Sequence, residues 1–191
     1  MSAATRVAAV TGGNAGIGKA ICEDLLGKGY EVVSLSLEKP QTVHPRLHSI
    51  EVDLTDRRAT AEAATDLVRR FDVTTVIHNA GVIRPALLGE VQLEDLDALV
   101  ALHLGCAIQI VQAALPQMRA QHFGRVVLLS SRAAVGAVTR TVYSATKAGM
   151  LGMMRTWGAR TRAQGHHGQC RGARTDLHRH VLRGDSEGQR P

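Results

Sequence analysis

The sequence predicts an α/β protein built on a doubly wound parallel sheet. Two observations carry this. Short apolar runs alternate with stretches of helical period through the first 157 residues, the order that gives a parallel sheet covered on both faces. A glycine-rich turn also stands directly between the first run and the first helical stretch, at the junction where such sheets take their ligands.

Each element follows in order. Arg6–Val10 reads as the first strand. Ile17, Ala20, Ile21 and Leu25 then recur at helical spacing until Gly27–Gly29 stops the helix. Tyr30–Leu35 and His48–Asp53 are the second and third strands, Arg57–Phe71 a helix, and Val73–His78 the fourth strand. A long helix spans about Leu93 to Leu115 and ends near Pro116, because proline has no amide to donate to the helix. Arg125–Leu129 is the fifth strand and Val142–Trp157 the last helix. There is no internal repeat.

After Trp157 the pattern stops. Gly158–Pro191 carries six glycines, seven arginines and four histidines, with Leu177, Val181 and Leu182 its only large aliphatics. Such a segment buries too little apolar surface to offset its ordering entropy. The expected organisation is one incomplete domain over residues 1–157, with the last strands of the sheet missing, and a disordered basic tail over 158–191.

Composition excludes several classes. With 45% hydrophobic and 21% charged residues the chain is globular. No apolar run approaches the roughly 20 residues that span a bilayer, and no secretory signal precedes the first strand. Three scattered cysteines, Cys22, Cys106 and Cys170, point to a reducing compartment and away from a disulfide framework or a metal site. A cytoplasmic protein is expected, with no membrane partner. The formal charge of +6 invites a nucleic-acid reading, but two thirds of that surplus sits in the tail and aromatics are only 3%, a poor platform for stacking bases. No specific nucleic-acid partner is expected. In the tail, His166-His167-x-x-Cys170 and His178-x-His180 meet no standard zinc spacing.

Two motifs carry chemistry. In Thr11-Gly-Gly-Asn-Ala-Gly-Ile-Gly18, glycines let the backbone approach a ligand without Cβ interference. The helix that follows aims its free amides and positive dipole end at the same turn, which suits a pyrophosphate. The other reading is a glycine-rich turn with no ligand. In Tyr143-Ser-Ala-Thr-Lys147 the tyrosine and lysine lie one turn apart on one helix face. At about 4 Å and an effective dielectric near 20, an ammonium favours a phenolate by roughly 4 kcal/mol, enough to make a phenol useful in proton transfer. Alone the pair reads equally as a surface contact. Ser130 and Ser131, at the end of the fifth strand, add a hydroxyl donor and make the combination more specific.

Thr11-Gly-x-x-x-Gly-x-Gly18, Asp53, Asn79-Ala-Gly81, Ser131 and Tyr143-x-x-x-Lys147, in this order, resemble the classical short-chain dehydrogenases/reductases over about residues 5–157. The resemblance implies a Rossmann-type fold, a nicotinamide dinucleotide, NAD or NADP, and hydride transfer involving a small-molecule carbonyl or secondary alcohol. It implies Tyr143 as the acid/base, Ser131 (or Ser130, by an alternative count) as the donor to the substrate oxygen, and Lys147 on the nicotinamide ribose. It places Thr11, Gly12, Asn14, Gly16, Ile17 and Gly18 at the dinucleotide, Asp53 and Leu54 at the adenine, and Asn79, Ala80 and Gly81 beside the cofactor. A homo-oligomer formed through the two longest helices is also implied. The other class of function is a non-catalytic dinucleotide-binding remnant or interaction module.

Two positions depart from the family. His103 stands where an asparagine is usual, either as a functional replacement or as a partly buried histidine bonded to backbone. Ser36 occupies the end of the second strand, where a carboxylate would select NAD; its absence, with Lys39 nearby, leans towards NADP. The family's continuation past Trp157 is missing as well. Back-translating the tail and dropping one base rereads it, with allowed codons, as an Ala-Leu-Glu-Leu run, a Val-Asn-x-Val strand and a Pro-Gly loop. The expectation is that 158–191 is out of frame and that the chain as written turns over little or no substrate.

Overall fold

In the computed structural model, which describes residues 5–163, five parallel strands form one sheet in the order β3-β2-β1-β4-β5. These are β1 (Val7–Thr11), β2 (Glu31–Ser36), β3 (Leu47–Glu51), β4 (Val73–His78) and β5 (Arg125–Leu128). The helices are α1 (Gly16–Gly27), α2 (Arg57–Arg70), α3 (Leu93–Val100), α4 (Cys106–Ala120) and α5 (Thr141–Ala163). The chain leaves β1 towards β2 and β3, then returns to place β4 on the other side of β1. The order therefore reverses at β1, and Thr11 pairs with His78 at the carboxyl ends of the two strands. Ligands bind in the crevice at such a reversal.

Alternation along the strands sorts the core into two layers. Val10, Val32 and Ile77 face α1, packing on Cys22 and Leu26. Ala9, Val33, Leu35 and Val76 face the opposite way, against Leu67 of α2, Cys106 and Ile110 of α4 and Met150 of α5. The β1, β2 and β4 segments are wholly or almost wholly buried, as a parallel sheet covered on both sides requires. Asp56 starts α2 by accepting the amides of Arg58 and Ala59 at 2.8 and 3.0 Å, an N-cap that satisfies two otherwise orphaned donors.

Two expectations, both on where helices end, need correction. The long helix does not end near Pro116: α3, a π-helical turn at Ala101–Gly105 and α4 run on to Ala120. Proline removes one bond back to Gln112, but buried Ala114 and Met118 on either side anchor the helix. The combined span Leu93–Ala120 is also long and apolar enough to cross a membrane by length and composition, although no uninterrupted apolar run shows it. Here it packs Leu99, Leu102, Cys106 and Ile110 into the core. Finally, α5 continues past Trp157 through Gly158 to Ala163. Alanine and arginine are good helix formers, and extending an existing helix avoids the cost of nucleation. The rest of the proposed out-of-frame tail, and its histidines and Cys170, lie outside the described residues.

Leu67 is fully buried between α2 and the sheet. Leu67→Ala is expected to lower stability by roughly 2–5 kcal/mol, read as a lower urea midpoint at unchanged slope.

Candidate active site

The turn after β1 is shaped by what cannot fit there. A Cβ on Gly18 would stand 1.9 Å from the Gly12 carbonyl oxygen and 2.5 Å from Asn79 Nδ2, so the start of α1 lies directly on the turn. Gly12 and Gly16 adopt φ of +67° and +52°, the left-handed region that glycine enters without strain. Nothing lies within 4 Å of a Cβ built on Gly16, so this side of the turn is open. Ala15 precedes α1 without a capping side chain and the first turn holds no acid. The leading amides and the positive dipole end are left for an anion. Asn14 is half-buried beside them, and Ile17 is 67% exposed.

Thr11 joins this turn to the end of β4. Its Oγ1 accepts the amides of Asn79 and Ala80 at 3.1 and 3.0 Å and lies 2.9 Å from His78 Nδ1. Asn79 Nδ2 donates in turn to the carbonyls of Thr11 and Gly12 at 3.2 and 3.1 Å. The Asn79–Gly81 segment is thereby fixed against the glycine turn. His78 was not singled out in the sequence; its signal is a histidine ending an apolar strand.

Tyr143 and Lys147, the pair expected to handle the proton, lie on α5. Lys147 is 3% exposed; its Nζ donates to the Leu129 carbonyl at 2.8 Å and sits 5.6 Å from the Tyr143 ring centroid. Burial pushes the Lys147 amine down to about 8. Ser130 Oγ donates to the Lys147 carbonyl at 2.9 Å. Ser131 caps a short turn at Arg132–Val135, its Oγ accepting the Ala133 amide at 3.2 Å, so its own O–H is not committed by that bond. His103 is neither partly buried nor bonded to backbone. It is 0% exposed, its Nδ1 lies 2.8 Å from Thr146 Oγ1, and its ring meets Tyr143 edge-on with centroids 5.6 Å apart. Thr146 is a second residue the sequence reading passed over.

At the other end of the crevice, Ser36 is 4% exposed and its hydroxyl lies 3.1 Å from that of Ser34. Lys39 pairs with Glu51 at 3.2 Å in the open. Asp53 Oδ1 accepts the amide and hydroxyl of Thr55 at 2.9 and 2.7 Å, and Leu54 beside it is buried.

Comparison with known proteins agrees with this geometry. A sequence profile described as short chain dehydrogenase matches residues 6–165. The chain is 30% identical over 167 residues to a 3-oxoacyl-[acyl-carrier-protein] reductase of Thermotoga maritima, covering 80% of this chain and 66% of that protein. It is 30% identical over 154 residues to one from Mycobacterium avium, covering 80% and 60%. Among solved structures, a short-chain dehydrogenase from Streptomyces avermitilis superposes with a TM-score of 0.76 at 27% identity, over 85% of this chain and 63% of that one. The chain spans less than two thirds of the length of each.

Thr11→Val is expected to strand two amides and the His78 ring nitrogen, at roughly 1–3 kcal/mol for each buried group left unpaired, measured by denaturant unfolding. A pH series gives a second check. Burial, followed by the nearby Lys147 charge, lowers His78 from 6.5 to about 3 and His103 from 6.5 to about 4. Below pH 6.5 the unfolded chain therefore binds more protons than the folded one, and stability falls as pH drops from 6.5 towards 3. His78→Asn, which cannot titrate, is expected to flatten that slope.

Proposed function

The chain belongs to the short-chain dehydrogenase family, and from this membership and the site we propose that it binds a nicotinamide dinucleotide and serves hydride transfer between that cofactor and a carbonyl or secondary alcohol. The observation that carries the proposal is Lys147: a buried amine one turn beyond Tyr143 that spends one N–H on Leu129 and faces the Gly81 backbone with the rest of its reach. The glycine turn fits the pyrophosphate, since it is open at Gly16 and backed by uncapped amides of α1. Asn14 and Ile17 border that position, and Asp53 and Leu54 lie towards the adenine.

When bound, the dinucleotide would supply the hydride for reduction and accept it in oxidation. The protein's part is positional and protic. The Tyr143 hydroxyl gives its proton to the substrate oxygen on reduction and takes it back on oxidation. Ser131 donates to the same oxygen; it is preferred over Ser130, whose hydroxyl already serves the Lys147 carbonyl. Lys147 uses its remaining N–H groups on the nicotinamide ribose. The Thr11–Asn79 bonds hold the cofactor loop and the β1 turn as one unit.

The substrate class follows from the relatives and the surface. The two relatives described above are 3-oxoacyl-[acyl-carrier-protein] reductases, so a 3-oxoacyl thioester is the proposed substrate. Val82, Ile83, Leu87, Leu88, Val135 and Val138 are exposed on two segments joined by the Ala86–Arg140 bridge. That apolar rim suits an acyl chain. The end of β2 presents no carboxylate, since Ser36 is buried on Ser34, so NADP is the proposed cofactor.

Titrating the chain with NADPH and NADH, followed by nucleotide fluorescence, is expected to give a smaller Kd for NADPH. No affinity for either would overturn the proposal, and a clear preference for NADH would reverse the cofactor choice. Turnover of a 3-oxoacyl thioester is expected to be little or none in the chain as written and to appear once the reading frame past Trp157 is restored; in that restored form Tyr143→Phe is expected to keep nucleotide binding and reduce turnover by roughly 10²–10⁴-fold. Binding without turnover in either form would make the chain a dinucleotide-binding module instead.

A further inference from the structure

The apolar rim is built on two segments, one running on from Gly81 and one between Ser131 and the start of α5, and packing holds neither. No residue of 81–92 or of 131–141 apart from the helical positions of α3 and α5 is buried, and Leu88, Val135 and Val138 are 80–83% exposed. Segments with so few buried contacts open locally at little cost. The tie between them is the Ala86–Arg140 bridge, in which the Ala86 amide donates to the Thr139 carbonyl at 3.0 Å. The Arg84 guanidinium is turned elsewhere, to Asp95 of α3 at 3.6 Å.

The acceptor in that tie is strained. The Arg140 amide donates to the Ala137 carbonyl at 3.1 Å and closes a turn whose third residue, Thr139, has φ of +61°. Glycine or asparagine is the usual occupant of such a position. Two non-glycine residues among those described have positive φ, His122 and Thr139, and only Thr139 is β-branched, the type for which this region is an outlier. Strained backbone persists only where its surroundings impose it. Here the Ala86 bond imposes it from one side. The start of α5 imposes it from the other, where the Arg140 carbonyl accepts the Ser144 amide at 2.7 Å. The strain of one such residue and the net worth of one hydrogen bond are of the same order, so making and breaking the tie are closely balanced. Gly136, at φ +105° with nothing within 4 Å of a Cβ built on it, gives the second segment a hinge.

We propose that Thr139 is a strained latch: with its carbonyl on Ala86 it holds the two apolar segments together, and release of that bond lets Thr139 relax to negative φ and the segments part to admit an acyl chain. The inference rests on the substrate class of the reading above and adds to it a gate that the substrate itself opens. An acyl chain lying between Leu88 on one segment and Val135 and Val138 on the other covers apolar surface that the closed form leaves in water. A ligand shifts an equilibrium only through such a difference between the two states. Glycine at this position would close the latch without strain and raise the cost of opening it.

The test uses the 191-residue chain and needs no turnover. Hydrogen exchange at the Ala86 amide, followed by NMR, reads the open fraction. Thr139→Gly removes the strain and is expected to slow that exchange roughly tenfold. Thr139→Asn, which also tolerates the left-handed region, is expected to slow it in the same direction. Decanoyl-CoA added to the unaltered chain is expected to speed the exchange, and Thr139→Gly to weaken decanoyl-CoA binding by up to about tenfold. Ala86 exchange that is unmoved or faster in Thr139→Gly, exchange that decanoyl-CoA does not speed, or equal decanoyl-CoA affinity in the two chains overturns the proposal. The decanoyl-CoA effect on exchange is read in the unaltered chain, so the test stands even if a variant fails to fold. NADPH binding is measured in the same samples: its absence overturns the proposed function, whereas its presence with unmoved Ala86 exchange overturns the latch alone.

Discussion

The Thr11 hydroxyl is the bond on which the rest of the site depends. It sits where the strand order reverses, accepts two backbone amides from the loop after β4, and turns its single proton to His78. A hydroxyl with both lone pairs and its proton engaged has no rotational freedom left. The glycine turn after β1 and the Asn79–Gly81 loop after β4 therefore move as one body. Serine would offer the same oxygen with less to hold its rotamer, whereas threonine's branched Cβ restricts χ1. From this junction the order runs outward: Asn79 closes the glycine turn, Gly81 leaves room for Lys147 and His103, and those two flank Tyr143.

Electrostatics at the site follow from burial more than from pairing. Among the described residues no carboxylate pairs with Lys147; a carbonyl oxygen receives it, and desolvation lowers its affinity for a proton. A carboxylate would hold the amine more tightly and leave it less free for another partner. His78 and His103 stay neutral for the same reason, with the lysine charge reinforcing the effect. The site thus carries one buried charge, held by a carbonyl oxygen and set among neutral hydrogen-bonding groups.

Much of this was legible in the sequence, for identifiable reasons. Val73–His78 is a strand from first to last residue as read, because Val73 to Ile77 are all β-branched and suit a pleated backbone. The glycine turn was legible because each glycine answers to a steric demand, most sharply at Gly18. The π turn was not: an extra residue in a helix has no composition of its own, and Ala101–Gly105 simply looks helical. Pro116 misled, since its local cost is overridden by the packing of Ala114 and Met118. His103 was noticed as a substitution but its surroundings were misjudged, because the partner, Thr146, lies 43 positions away. The role of His78 was invisible for the same reason, with Thr11 67 positions distant.

The π turn leaves this helix with a phase. Its extra residue is taken up by the wider turn, which sets everything from Cys106 onward back by about 100° relative to an uninterrupted α-helix of the same sequence. The side of α4 that meets the sheet is therefore not the continuation of the side that α3 presents. Closing Ala101–Gly105 as ordinary α-helix with all five residues kept would rotate one half against the other, and either the Leu99 side or the Ile110 side would then face water. Removing one residue as the turn closes would leave the two halves in their present phase. The faces on either side of this segment are thus set by its length and turn type together, and not by residue identity alone.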